Sequence, residues 1–140
     1  MATRVLAAST LALASLAAGC GAATDDDSAG DFSGRQALVA STVEDLSAAA
    51  SDRDGEDQIC GQLLATALVD RLSAGGGNCR TTVKDALENT DTSDLTVRSV
   101  RIDGTRATAR VSADTGDEDR VLTVGLVRER DRWKISRLPG

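Results

Sequence analysis

The sequence predicts an α+β fold in which three helices pack on a curved four-stranded antiparallel sheet. Three observations predict it. Apolar residues recur at helical spacing over 33–89, the period changes to two from Leu95 onward, and that two-residue period slips phase once inside the first strand. Helical spacing appears from Phe32 to Ser51, where Val39, Val43, Leu46 and Ala50 share one face and Ser33 offers an N-cap for the first helix. Ser51-Asp52-Arg53-Asp54-Gly55 ends it. A second helical pattern runs over 56–72, with Cys60, Leu63, Leu64, Ala67, Leu68 and Leu72 on its apolar side. Gly75-Gly76-Gly77 stops that pattern, since glycine supplies the left-handed backbone that a helix end often needs. The third helix is expected over 79–89, capped by Asn78, with Cys79, Val83, Ala86 and Leu87 as its stripe.

In the second half, Leu95 and Val97 alternate on odd positions, whereas Val100 and Ile102 alternate on even ones. A one-residue slip flips side chains between faces, so a bulge is expected near Arg98-Ser99. Asp103-Gly104 is a two-residue hairpin signal. A strand over 105–113 then carries Ala107, Ala109 and Val111 on one face. A polar loop over 114–119 follows, then a long strand over 121–130, a turn at Asp131-Arg132, and a last strand over 133–138 with Trp133 and Ile135 inward.

Composition bounds the function. The 140 residues carry 16 Lys+Arg against 22 Asp+Glu, for a net charge of −6, which disfavours bulk nucleic-acid binding. The charge is divided: residues 20–94 hold 5 basic and 15 acidic side chains, and residues 95–140 hold 10 basic and 7 acidic. The arginines of the second half fit the wet face of a sheet, and they also suit anionic headgroups or an acidic partner. Phe32 and Trp133 are the only aromatics, with no Tyr and no His, so the core of this single domain must be Leu, Val, Ile and Ala. A core of that kind often needs a staple.

The chain opens with Arg4 and an apolar stretch of 14 residues, 5–18, which is too short to span a bilayer and has the length and flanks of a signal-peptide core. It ends Leu16-Ala17-Ala18-Gly19-Cys20. That run resembles the bacterial lipobox, with Leu16 one position earlier than the lipobox leucine. The resemblance implies that 1–19 is a removed signal peptide, that Cys20 is acylated, and that 20–32 is an acidic tether. Two or more acyl chains anchor a protein stably. The expected location is therefore the extracytoplasmic face of the cell membrane.

With Cys20 acylated, Cys60 and Cys79 remain. An exported chain favours a disulfide between them. The alternative, a metal site, lacks the usual four ligands. A single straight helix over 60–73 would carry Cys60 about 20 Å from its end. Residues 74–78 span at most about 17 Å. Bringing two cysteine Cα atoms within about 7 Å of each other is then a stretch, so a break or bend is expected near Ala65-Thr66, with Thr66 capping a second short helix.

Three motifs in this order carry a further resemblance: Cys60-Gly61-Gln62-Leu63-Leu64 in the second helix, Gly77-Asn78-Cys79 after the glycine turn, and Arg132-Trp133-Lys134-Ile135 in the last strand. Over about 33–138 the chain resembles the nuclear transport factor 2-like superfamily, in its branch of small exported bacterial lipoproteins. The resemblance implies a cystatin-like cone over 33–140, with Leu46, Leu64, Val83, Leu87, Trp133 and Ile135 as candidate pocket lining. The superfamily holds isomerases, dehydratases and cyclases beside non-catalytic binding domains, and fold does not choose among them.

Chemistry is sparse. Serine catalysis with a histidine base is impossible without His. Asp70, Asp85 or Asp103 would serve as a base only if aimed into a pocket. No phosphate-loop lysine follows Gly75-Gly76-Gly77. Asp25-Asp26-Asp27-Ser28-Ala29-Gly30 and Asp52-Arg53-Asp54-Gly55-Glu56-Asp57 both fail the calcium-loop pattern, the first at Ala29 and Gln36, the second at Asp57. No metal and no cofactor is expected. The expected partners are the membrane, through the anchor, and a small apolar ligand or an envelope protein bound without catalysis. A structural lipoprotein with a filled cone and an isomerase-like or cyclase-like enzyme stand as alternatives.

Overall fold

The computed structural model describes residues 28–89, 95–114 and 119–138. Helices come first, then an antiparallel meander: α1 (Arg35–Ser51), α2 (Gly55–Gln58), α3 (Thr66–Ser73), α4 (Cys79–Glu88), β1 (Leu95–Asp103), β2 (Arg106–Asp114), β3 (Asp119–Glu129) and β4 (Arg132–Arg137). The sheet order is β1-β2-β3-β4. The chain is thus α+β with four α-helices, where the sequence predicts three.

The difference lies in the second helical pattern. It is divided into α2, a π-helical turn over Ile59–Leu63, an extended pair Leu64 and Ala65, and α3. The expected break at Ala65-Thr66 is present. Its cap differs: Ala65 is the N-cap and Thr66 is the first helical residue. Likewise Gly34, at φ 57°, precedes α1 in place of Ser33, and no side chain caps that end. Asn78 does cap α4, its Oδ1 accepting from the Thr81 N–H at 2.9 Å. The folded body also begins before residue 33. Ser28–Asp31 forms a 3-10 turn, and Phe32 is half-buried against the core.

The sheet follows its alternation closely. Pairing of β1 with β2 shifts between Val97 and Ser99, the bulge that the phase slip predicts. The first hairpin turn is one residue later than expected: Asp103 pairs with Arg106, and Gly104 (φ 58°) and Thr105 make the turn. The last turn is one residue earlier. Arg130 and Asp131 both take positive φ, 47° and 67°, as a mirror-image two-residue hairpin requires, and Arg132 already pairs with Glu129. Of the predicted polar loop, residues 115–118 lie outside the described residues. Asp114 and Asp119 pair as strand ends.

One core sits between the helices and the inner face of the sheet. Val39, Val43 and Leu46 of α1 meet Val97, Ala109, Val111, Val124, Leu126 and Ile135. Ala49, not Ala50, completes the buried stripe of α1, and Ala67 and Ala86 are exposed, contrary to the expected stripes. For Ala67 the cause is the π turn. The turn ends in the extended pair Leu64-Ala65, so α3 starts anew on its own axis and its buried face does not continue the stripe before the break. Two polar contacts fix α1 on β1: Gln36 Nε2 donates to the Val100 carbonyl at 3.1 Å, and the Leu95 N–H donates to Ser47 Oγ at 3.2 Å.

Candidate functional site

The joint between α2 and α4 is where the chain's special chemistry gathers. Cys60 and Cys79 form a disulfide with Cα atoms 6.1 Å apart. Ile59 and Leu63 of the π turn are buried, at 2% and 7% exposure, so the widened turn seats apolar residues on both sides of Cys60. The chain then straightens and joins the sheet edge. Leu64 bridges to Ile135 in parallel, and the Ala65 N–H donates to the Ile135 carbonyl at 2.8 Å. This bond gives a buried backbone donor, freed by the break, the partner it needs.

Glu129 of β3 completes the joint. Its carboxylate accepts from the Thr66 N–H at 3.1 Å and from the Thr66 hydroxyl at 3.1 Å. An acceptor at the start of α3 satisfies an orphan donor and complements the helix dipole. Lys134 Nζ donates to the Gln62 carbonyl on the same edge. Neither Glu129 nor Lys134 is foreseeable from sequence, because their partners lie 63 and 72 residues away.

The candidate pocket residues come together, as packed core. Leu46, Leu64, Val83, Trp133 and Ile135 belong to one buried cluster, with exposures from 0% to 7%, and Leu87 packs against it half-buried. The described surface has a different hollow of about 570 Å³ between α2 and α4. It is polar and open, with Glu56, Asn78, Arg80, Lys84, Asp85 and Glu88 around it. Arg80 Nε meets Asp57 at 2.6 Å beside it.

The three candidate bases, Asp70, Asp85 and Asp103, are exposed. Asp70 stands on a wet helix face, Asp85 borders the open polar hollow beside α4, and Asp103 precedes a hairpin turn. Among the described residues no group of three or more His, Cys, Asp or Glu side chains is placed to hold a metal ion. No helix among them is long and apolar enough to cross a membrane. Cys20 and the leader before it lie outside the described residues.

Gly55 has a role that its acidic surroundings conceal. It is buried at the first position of α2, and a Cβ there would stand 1.6 Å from the Ala49 carbonyl oxygen. The run Asp52-Arg53-Asp54-Gly55 is a crossing point of two backbones. A buried glycine between two acidic pairs is the signal that composition offers for this, and helix-end punctuation is the reading it first suggests.

No protein-family model and no curated protein matches the chain. Among solved structures it is similar to the de novo designed NTF2 fold protein NT-9, over 71% of this chain and 82% of that one, with 10% identity and a TM-score of 0.46.

Proposed function

We propose that the chain is an exported bacterial lipoprotein whose folded part is a non-catalytic accessory domain on the outer face of the cell membrane. Residues 1–19 are a signal peptide, Cys20 carries the lipid, and the body is a nuclear transport factor 2-like cone. The observation that carries this reading is the Cys60–Cys79 disulfide. Disulfides persist in oxidising compartments outside the cytoplasm. The pairing also uses two of the three cysteines and leaves Cys20, directly behind the apolar leader, as the odd one.

The non-catalytic part of the reading rests on the residue inventory and on placement. With no His and no Tyr, the chain has Asp and Glu as its proton-transfer candidates near neutral pH, and Asp70, Asp85 and Asp103 face water. Within this reading a filled cone is favoured over one that holds a small apolar ligand, because five of the six candidate lining residues are at most 7% exposed and packed on one another. A partner would then be met on the surface, an envelope protein or the membrane itself.

Feeding labelled palmitate to a bacterial host that expresses the full chain tests the anchor. The wild-type chain is expected to take up label and fractionate with membranes, and Cys20→Ser is expected to take up none. Equal labelling of the two, or an unlabelled wild type, contradicts the proposal.

A further inference from the structure

We propose that the outer face of the sheet is a cationic surface that lies against anionic lipid headgroups and orients the domain on the membrane. The register places Arg101, Arg106 and Arg110 of β1 and β2 on the face opposite the core, with Arg132 and Arg137 of β4 on the same side. Arg98, at the bulge, joins them, its Nε donating to Ser112 Oγ at 2.9 Å. All six are exposed. The ion pairs described, Arg80–Asp57 and Arg128–Asp131, use none of them.

Acidic residues described on this face are few. Among the residues whose side chains are described, Asp103 stands at the hairpin and Glu129 is engaged by Thr66. The helical layer has the opposite sign, with Asp52, Asp54, Asp57, Asp70, Asp85 and Glu88 exposed on it. The body is therefore bipolar, although the whole chain is net −6.

A negative surface attracts one side of such a body and repels the other, and each Lys or Arg close to it contributes about 1 kcal/mol. The cations are spread over β1, β2 and β4 and do not converge on one cleft, which suits a plane of headgroups better than a single acidic side chain. Val121, 56% exposed on the same face, adds apolar contact. The inference rests on the anchor reading for its geometry. The eight residues 20–27 ahead of the first turn span at most about 29 Å, so an acylated Cys20 holds the body close to the headgroups.

The test is binding of the full chain to phosphatidylcholine vesicles and to vesicles of phosphatidylcholine and phosphatidylglycerol in equal amounts. The leader, with Arg4, is the same in wild type and variants, so the change in anionic preference on substitution reads the cationic face. Partitioning is expected to favour the anionic vesicles by about tenfold at low salt and to lose that preference at high salt. Arg101→Glu with Arg110→Glu should abolish the preference, and Arg101→Ala with Arg110→Ala should reduce it. Arg53→Glu with Lys84→Glu, on the helical layer, should leave it. Trp133 fluorescence shows that each variant is folded.

Equal partitioning of the wild type, or an equal loss with the helical-layer pair, overturns the inference. So does tight binding of polyglutamate without vesicle preference, which points to an acidic protein partner. Palmitate labelling is independent of this preference, so failure of the anchor and failure of the cationic face are told apart.

Discussion

Replacing Gly55 by Ala is expected to destabilise the fold by about 3 kcal/mol or more, a cost usually met only in cores. The new methyl would stand 1.6 Å from the Ala49 carbonyl oxygen and 2.6 Å from its carbon. Both are backbone atoms, so no rotamer change relieves the clash. Ala49 is 1% exposed and cannot retreat without moving α1 off the sheet. The substitution forces the end of α1 and the start of α2 apart at the place where the chain reverses. Urea unfolding followed by the fluorescence of Trp133, the single tryptophan and 6% exposed, measures the loss. Gly61→Ala is the matched control. It lies in the neighbouring turn with nothing within 4 Å of its Cβ position, and it should change stability little.

Removing the Cys60–Cys79 bridge is expected to cost about 3 kcal/mol in the chain-entropy view, for a closed loop of about 19 residues. The loop holds the π turn, the extended pair and α3, none of which is long enough to be stable alone. Cys60→Ser with Cys79→Ser should therefore lower the unfolding midpoint. It should also raise hydrogen exchange first at the Ala65 N–H, whose bond to the Ile135 carbonyl ties that loop to the sheet. Exchange unchanged over 59–73 would show that the core alone holds the joint.

Much of the fold is legible in the sequence, and the reasons differ by element. Strand alternation is a local property, so the phase slip at Val97 to Val100 locates the bulge, and Ala107, Ala109 and Val111 point to the buried face. The cysteines carry long-range information. The short reach between Cys60 and Cys79 favours a broken helix, and the break lies at Leu64-Ala65. Turns are placed within one residue, because Asp103-Gly104-Thr105 and Arg130-Asp131-Arg132 each offer two adjacent pairs for a two-residue loop.

What is not legible comes from tertiary contacts. Thr66 reads as a cap from sequence, but Glu129 across the sheet takes over that role. The π turn has no sequence mark beyond a helical stripe that fails after Leu64, with Ala67 exposed. The residues expected to line a pocket are the ones that fill the core, since inward apolar positions on helix and strand read the same in either case. The arginines behave as alternation dictates: Ala107, Ala109 and Val111 are buried, and Arg106, Thr108 and Arg110 between them stand in water, whereas Ser112, the acceptor of Arg98, is buried.

The central claim is tested most directly by intact-mass and peptide mass spectrometry of the protein taken from its native cells without reducing agent. The account predicts a chain that starts at Cys20, heavier than its residues by a diacylglyceryl group, with the peptides of Cys60 and Cys79 joined. An unprocessed chain starting at Met1 and carrying free thiols at Cys60 and Cys79 would contradict it.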